Sequence, residues 1–344
     1  MAEHASNSAR HVVLLGASAG GVEALSSVVS GLPADLPAAV LVVLHIPAWG
    51  TSVLPHILDR CGPLPACHAV DGEPMLPGRV YVAPPDKHLV TEDGRVRLTR
   101  APKENGVRPS VDVLFRTAAR THGPNVVAVV LSGTLDDGTA GLLAVKNRGG
   151  VTMTQDPADA AFPSMPESAS RFVKPTHVAP ARDLAVLIAK HVTAEAKPPN
   201  ALAAEREGSV ETHERSGETA AEQDGVPSEL NCPECGGTLW EKDDGELLRF
   251  RCRVGHAYSP ESLFSHQLES LEGALWAAVV ALQERGDLAT RLSRRMSERG
   301  QVERARRYDA QAADARRRAE QVRAAIIHLS RSGESPEEPV AGEV

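Results

Sequence analysis

The stretch VVLLGASAGG, Val12–Gly21, decides the fold. Four apolar residues run without a polar interruption into Gly16, the pattern of a strand buried on both faces of a parallel sheet. A Gly-x-Ser-x-Gly turn follows at Gly16–Gly20, and a helix is expected after it. Such a turn lifts the Ser18 oxygen above the carboxyl end of a sheet, and its small neighbours let backbone amides approach a reacting carbonyl. The same geometry also suits a phosphate, so Ser18 alone does not specify a nucleophile.

Two further strands narrow the choice. AAVLVVLHIP, Ala38–Pro47, ends on His45 beside a proline that stops the strand. NVVAVVLSG, Asn125–Gly133, runs out into GTLDDG, which brings Asp136 and Asp137 to the same edge before a glycine and a new helix. Carboxyl ends of parallel strands form the crevice where open α/β sheets bind ligands. Serine, histidine and aspartate together are what a covalent acyl transfer requires: nucleophile, base, and a carboxylate to orient the base. Taken singly, His45 also fits a core histidine, and Asp136 or Asp137 a helix N-cap. The chain order Ser18, His45, Asp137 disfavours an ordinary α/β-hydrolase, whose acid precedes its histidine.

With these residues in view, the chain resembles the catalytic domain of the CheB-type protein-glutamate methylesterases, which demethylate bacterial chemoreceptors. The resemblance rests on GASAGG (Gly16–Gly21), LHIP (Leu44–Pro47), SGTLDDG (Ser132–Gly138) and FPSMPESA (Phe162–Ala169), in that order. It implies Ser18 as nucleophile, His45 as general base and Asp137 as the triad carboxylate, with Asp136 at a variable position. It also implies that the amides of Ala19 and Thr134 hold the oxyanion. Thr134 stands where the family usually has methionine, and Leu135 replaces a glycine at a place where glycine enters positive φ freely. Ala19 replaces a common threonine, removing a hydroxyl donor of a kind that can contribute about 3 kcal/mol to the transition state. The implied substrates are glutamate methyl esters on chemoreceptor cytoplasmic domains, and family members commonly also deamidate glutamine with the same machinery. No cofactor is implied for catalysis. A weakened or inactive methylesterase-like adaptor and a phosphate-binding protein remain as alternatives, although no acidic ribose ligand follows the second strand.

Alternating strand and helix patterns through Val192 predict a doubly wound, mostly parallel sheet. Strands are expected near 11–17, 38–46, 79–83, 125–132 and 150–155, with a hairpin at TEDG (Thr91–Gly94). Helices are expected near 20–31, 51–60, 110–121, 138–148 and 181–192. The predicted organisation is a catalytic domain over 10–192, a linker over 193–229, a small zinc-ribbon-like module over 230–260, a helical hairpin over 261–331 and a disordered tail over 332–344. The linker expectation rests on a composition rich in Ala, Glu, Pro, Gly and Ser. Many family members carry an N-terminal receiver domain. Here the catalytic strand begins by His11, so control is expected through the C-terminal module, a separate partner or expression.

Cys232 and Cys235 form a Cys-x-x-Cys pair, and after sixteen intervening residues Cys252 opens CRVGH, ending at His256. This spacing predicts a structural zinc site of three cysteines and one histidine, apart from the ester chemistry; a redox pair or free thiols are the alternatives. Leu268, Leu271, Leu275, Leu282, Leu292 and Met296 follow three-four spacing, as do Tyr308, Ala312, Ala315, Ala319, Val322, Ile326 and Leu329. Two amphipathic helices that pack on each other are expected, with docking to receptor coiled coils or another signalling protein as the second reading. A net charge of −8 and 3% aromatic residues argue against nucleic-acid binding. The polar start and the absence of a long apolar run predict a cytoplasmic protein without membrane insertion.

Overall fold

The computed structural model describes residues 9–193, 225–243 and 247–332. Most of the expected linker, and the expected tail from residue 333 onward, lie outside the described residues.

The first part of the chain reads β1 (His11–Ala17), α1 (Gly21–Ser30), β2 (Ala38–Leu44), α2 (Leu54–Cys61), β3 (Ala66–His68) and β4 (Arg79–Val82). A hairpin of β5 (His88–Glu92) and β6 (Arg95–Thr99) leads to α3 (Val111–His122), β7 (Val126–Val130), α4 (Thr139–Asn147), β8 (Val151–Gln155), α5 (Ser164–Val173), β9 (His177–Ala179) and α6 (Ala181–Val192). Seven strands form one sheet in the order β3-β4-β2-β1-β7-β8-β9, and every pairing in it is parallel.

Period-two alternation along β1 sends Val13 and Leu15 to one face and Val12 and Leu14 to the other. The first face packs against α1, α2 and α6 through residues such as Leu25, Val28, Leu58, Leu184 and Ile188. The second packs against α3, α4 and α5 through Leu114, Phe115, Leu142, Val145 and Met165. At roughly 1.5–3 kcal/mol for each large apolar side chain removed from water, this two-sided burial is the main stabilising contribution. The chain leaves β1 toward β2 and returns as β7 on the other side, so the switch point of the sheet lies at the carboxyl ends of β1 and β7.

The five expected strands, the hairpin and the five expected helices are present. Three elements escaped the sequence pattern. β3 and β9 are three-residue edge strands, too short for an alternation to register. In α5, Pro166 reads as a helix breaker, yet it falls in the first turn, where its missing N–H has no intrahelical role.

An antiparallel sheet follows, in the order β10 (Val226–Asn231), β11 (Thr238–Asp243), β12 (Leu248–Cys252) and β13 (Ala257–Tyr258). It begins a few residues before the expected boundary. The chain divides into two compact units, the first up to Leu263 and the second from Phe264, so this small sheet belongs with the large one. Helices α7 (Pro260–Glu298) and α8 (Val302–Ser332) form a hairpin closed by Gly300 at φ 72°. Ala312, Ala315, Ala319 and Ile326 of α8 are buried, as are Val279 and Ala289 of α7, and Arg316 Nη2 donates to Thr290 Oγ1 at 3.0 Å. Leu268 and Leu271, expected on the packed stripe, are exposed. Among the described residues no helix is long and apolar enough to cross a membrane.

Candidate active site

Two backbone hydrogen bonds extend the central ladders by one step and assemble the crevice. The Ser18 amide donates to Ser132 O at 2.9 Å, joining the turn after β1 to the loop after β7. The His45 amide donates to Ala17 O at 3.2 Å, which puts His45 beside the same turn. Gly20 holds φ 67°, a left-handed value that glycine adopts freely. Gly133 lies against the Ser18 turn so closely that a Cβ there would come within 2.8 Å of Ser18 Cβ. Ser132 is the keystone of this approach: its hydroxyl donates to Ala19 O at 2.8 Å and accepts from the Phe162 amide at 3.0 Å.

His45 Nε2 and Asp137 Oδ2 stand 2.8 Å apart, with Asp137 buried and His45 partly open. Asp137 also accepts from the Val111 amide at 2.6 Å, Asn105 Nδ2 at 2.9 Å and Ser110 Oγ at 2.9 Å. Burial by itself would raise this carboxyl; the hydrogen bond and charge of His45, with the Val111 and Asn105 donors, overcome that and hold it well below the usual carboxylate range. It is therefore an anion aimed at the imidazole. Among the described residues no hydrogen bond joins Ser18 Oγ to His45, and the amides of Ala19 and Thr134 have no recorded acceptor. Thr134 is exposed at the mouth of the site.

Leu135 adopts φ 59°, a left-handed conformation that glycine enters freely. The loop keeps its shape at a strain cost of about 1–2 kcal/mol for a residue with a Cβ. Neighbouring Asp136 is buried and accepts from Ser259 Oγ at 2.7 Å and Ser262 Oγ at 2.9 Å. Burial raises this carboxyl, and the two serine donors oppose the rise.

Asp112, Asn105, Ser110 and Ser132 complete the surroundings, and none was singled out from sequence. Asp112 Oδ1 accepts from the Gly138 and Gly141 amides at 3.0 and 2.6 Å, steadying the start of α4. Burial and the adjacent Asp137 charge push Asp112 up to about 6, against Arg249 and Arg116. Polar residues in apolar-rich segments announce burial, but only the fold shows that these meet one carboxylate.

The second predicted site also assembles. Cys232 Sγ and His256 Nδ1 are 3.7 Å apart, Cys252 Sγ and His256 Nδ1 3.5 Å, and Cys235 Sγ and Cys252 Sγ 3.6 Å. All four donor atoms lie within 4.8 Å of one another. Tetrahedral zinc, at about 2.3 Å from sulfur and 2.0–2.1 Å from nitrogen, spaces its ligand atoms about 3.6–3.8 Å apart, so the donor set fits a closed structural site.

The Ser18 turn, and His45 paired with the buried Asp137, meet at the switch point of a doubly wound parallel sheet, the edge where such folds bind ligands. The CheB methylesterase family matches residues 13–188, about half of the chain, and the chain belongs to that family. It is 44% identical over 156 residues to protein-glutamate methylesterase/protein-glutamine glutaminase 4 of Myxococcus xanthus, covering 45% of this chain and 44% of that protein. Against protein-glutamate methylesterase/protein-glutamine glutaminase 2 of Pseudomonas aeruginosa the identity is 43% over 166 residues, 47% of each chain. The crystal structure of the Thermotoga maritima CheB methylesterase catalytic domain superposes with a TM-score of 0.51 at 34% identity, covering 52% of this chain and 97% of that one. The chain spans about half the length of the curated relatives it matches.

Proposed function

We propose that this protein is a serine hydrolase that demethylates glutamate methyl esters on the cytoplasmic domains of chemoreceptors, and that the same site deamidates receptor glutamine. The observation that carries the reading is the anionic Asp137 held 2.8 Å from His45 Nε2 beside the Ser18 turn. Membership of the CheB methylesterase family supports the substrate class.

In this reading the Nε2–H of His45 donates to Asp137, leaving Nδ1 to take the Ser18 proton. Ser18 Oγ attacks the ester carbonyl carbon, and the amides of Ala19 and Thr134 receive the negative charge that develops on its oxygen. Collapse breaks the C–O bond, and the methoxy group leaves as methanol with the proton from His45. Water, deprotonated by the same nitrogen, then hydrolyses the glutamyl ester of Ser18 and regenerates the enzyme. Deamidation follows the same course with ammonia as the leaving group. A receptor substrate of this kind places the protein in the cytoplasm.

The test is methanol release from methylated chemoreceptor cytoplasmic fragments, comparing wild type and Ser18→Ala at equal folded concentration. Release by the wild type that disappears in the variant is expected. No release from either, across several receptors, would overturn the reading in favour of an adaptor built on the esterase fold.

A further inference from the structure

The chain buries four carboxylates around and behind His45: Glu104, Asp112, Asp136 and Asp137. Within the hydrolase domain Arg116 answers Glu104 at 2.6 Å. Much of the remaining compensation comes from the Cys/His module. Arg249 of β12 lies 3.3 Å from Glu104 and 3.6 Å from Asp112. The Ser259 and Ser262 hydroxyls both reach Asp136. The Ser259 amide donates to Asn105 Oδ1 at 3.0 Å, and Asn105 Nδ2 in turn bridges Asp112 and Asp137. The backbones are joined as well: the Asn105 amide donates to Ala257 O at 2.7 Å, one residue beyond the ligand His256. Ser259 also caps α7, accepting from the Ser262 amide at 3.0 Å with Pro260 at the first helical position.

The module has little core of its own. Six buried residues make up its apolar cluster, two of them the cysteines Cys232 and Cys252, so a metal held by the four donors would add cross-links that this small core lacks. Carboxylates buried without partners are strongly unfavourable, and a displaced Asn105 would remove one of the donors that fix the Asp137 carboxylate plane, leaving Ser110 and the Val111 amide to hold it against His45.

We propose that the Cys/His module is a working part of the hydrolase site: with metal bound it delivers Arg249, Ser259 and Ser262 to the buried carboxylates, and the Ser259 hydroxyl, bonded to Asp136 and to the Ser262 amide, fixes the Ser259 amide on Asn105, so that Ser259 acts through Asn105 as a positioning residue for the His45–Asp137 pair. This rests on the hydrolase reading above and assigns that site a control by metal occupancy.

The full-length chain tests it with three readouts: bound zinc, kcat and KM for methanol release, and the imidazole nitrogen resonances of His45, assigned with His45→Gln. Ser259→Ala is expected to retain zinc, lower kcat about tenfold at unchanged KM, and move the His45 signal. Ser259→Thr, which keeps the hydroxyl, should restore most of the loss. Chelation should empty the cluster and produce the same changes more strongly, reversed by one equivalent of zinc. An emptied cluster with unchanged kcat and an unmoved His45 signal would overturn the proposal. A loss on chelation without one in zinc-replete Ser259→Ala would also overturn it, since zinc would then serve folding alone. A wild type that releases no methanol would sink the hydrolase reading instead; the His45 signal then decides the coupling, which stands if Ser259→Ala moves it and falls if it does not.

Discussion

In the large sheet, β1 and β2 bury all their residues, whereas β10 of the small sheet is exposed at five of its six positions. The large sheet has a full apolar cluster on each face, with Val, Leu, Ile and Phe supplied by six helices. The small sheet has one cluster, built on Leu239, Phe250, Tyr258 and Leu263 with two of its cysteines. One region therefore folds on side chains that need only each other. The other depends on a tetrahedral donor set and on hydrogen bonds to its larger neighbour. Besides the Lys103–Glu234 ion pair, polar contacts between them from Arg249, Ser259 and Ser262 reach the buried carboxylates Glu104, Asp112 and Asp136, so part of the weaker region's attachment lies at the candidate site.

Metal removal should separate the two regions most sharply. Structural zinc in small modules contributes on the order of 10 kcal/mol, so chelation should abolish amide-exchange protection in β11 and β12 while β1, β2 and β7 stay protected. Persistent protection of β11 without metal would show that the small sheet holds itself. The next effect lies in the large region alone. Asp137→Asn should reduce turnover about 10⁴-fold, because an amide cannot act as the anionic acceptor that selects the histidine tautomer. Activity within a few-fold of wild type would remove Asp137 from the triad.

A pH effect of intermediate size links the two regions. Asp112 has its carboxyl raised to about 6 in the folded protein, so its contribution is present below the unfolded value near 4 and is lost as pH rises through 6. Glu104, drawn down to about 2 by Arg116 and Arg249 against the opposing effect of burial, contributes fully above the unfolded value and loses that only in strong acid. Unfolding free energy should therefore fall as pH rises from 4 through 6, in the direction set by Asp112. Asp112→Asn should flatten that slope in denaturant titrations; an unchanged slope would reject the assignment. The smallest change expected is Leu135→Gly. Relief of left-handed strain is offset by the greater freedom of glycine in the unfolded chain, leaving stability within about 1 kcal/mol of wild type by thermal unfolding. A large destabilisation would mean that the Leu135 side chain holds the loop.

Particular residues show how far the sequence could be read. Ser18, His45 and the Asp136–Asp137 pair were visible because each follows an apolar run and precedes a break, and strand ends of a parallel sheet share one edge; only the family resemblance pointed to Asp137 rather than Asp136. The ligands Cys232, Cys235, Cys252 and His256 were visible from spacing alone. What Asp136 binds was not: in sequence it is one of two adjacent aspartates, and its serine partners lie more than a hundred residues away. Leu135 pointed to a distorted loop, and the backbone there is left-handed, at φ 59°. Leu268 and Leu271 fit the helical stripe yet remain exposed, because spacing defines a face without supplying what covers it.

By itself the sequence determined the doubly wound sheet, the edge at which serine, histidine and aspartate arrive, and the composition of the metal cluster. Those features follow from local apolar periodicity, turn chemistry and ligand spacing. Only the tertiary structure decided that Asp137 is an anion locked by Asn105, Ser110 and the Val111 amide, that Asp112 sits beside it, and that Ser259 and Arg249 of the Cys/His module serve the same buried carboxylates. The reason is physical: a carboxylate's charge state depends on which distant donors share its burial, and that neighbourhood exists only once the chain has closed on itself.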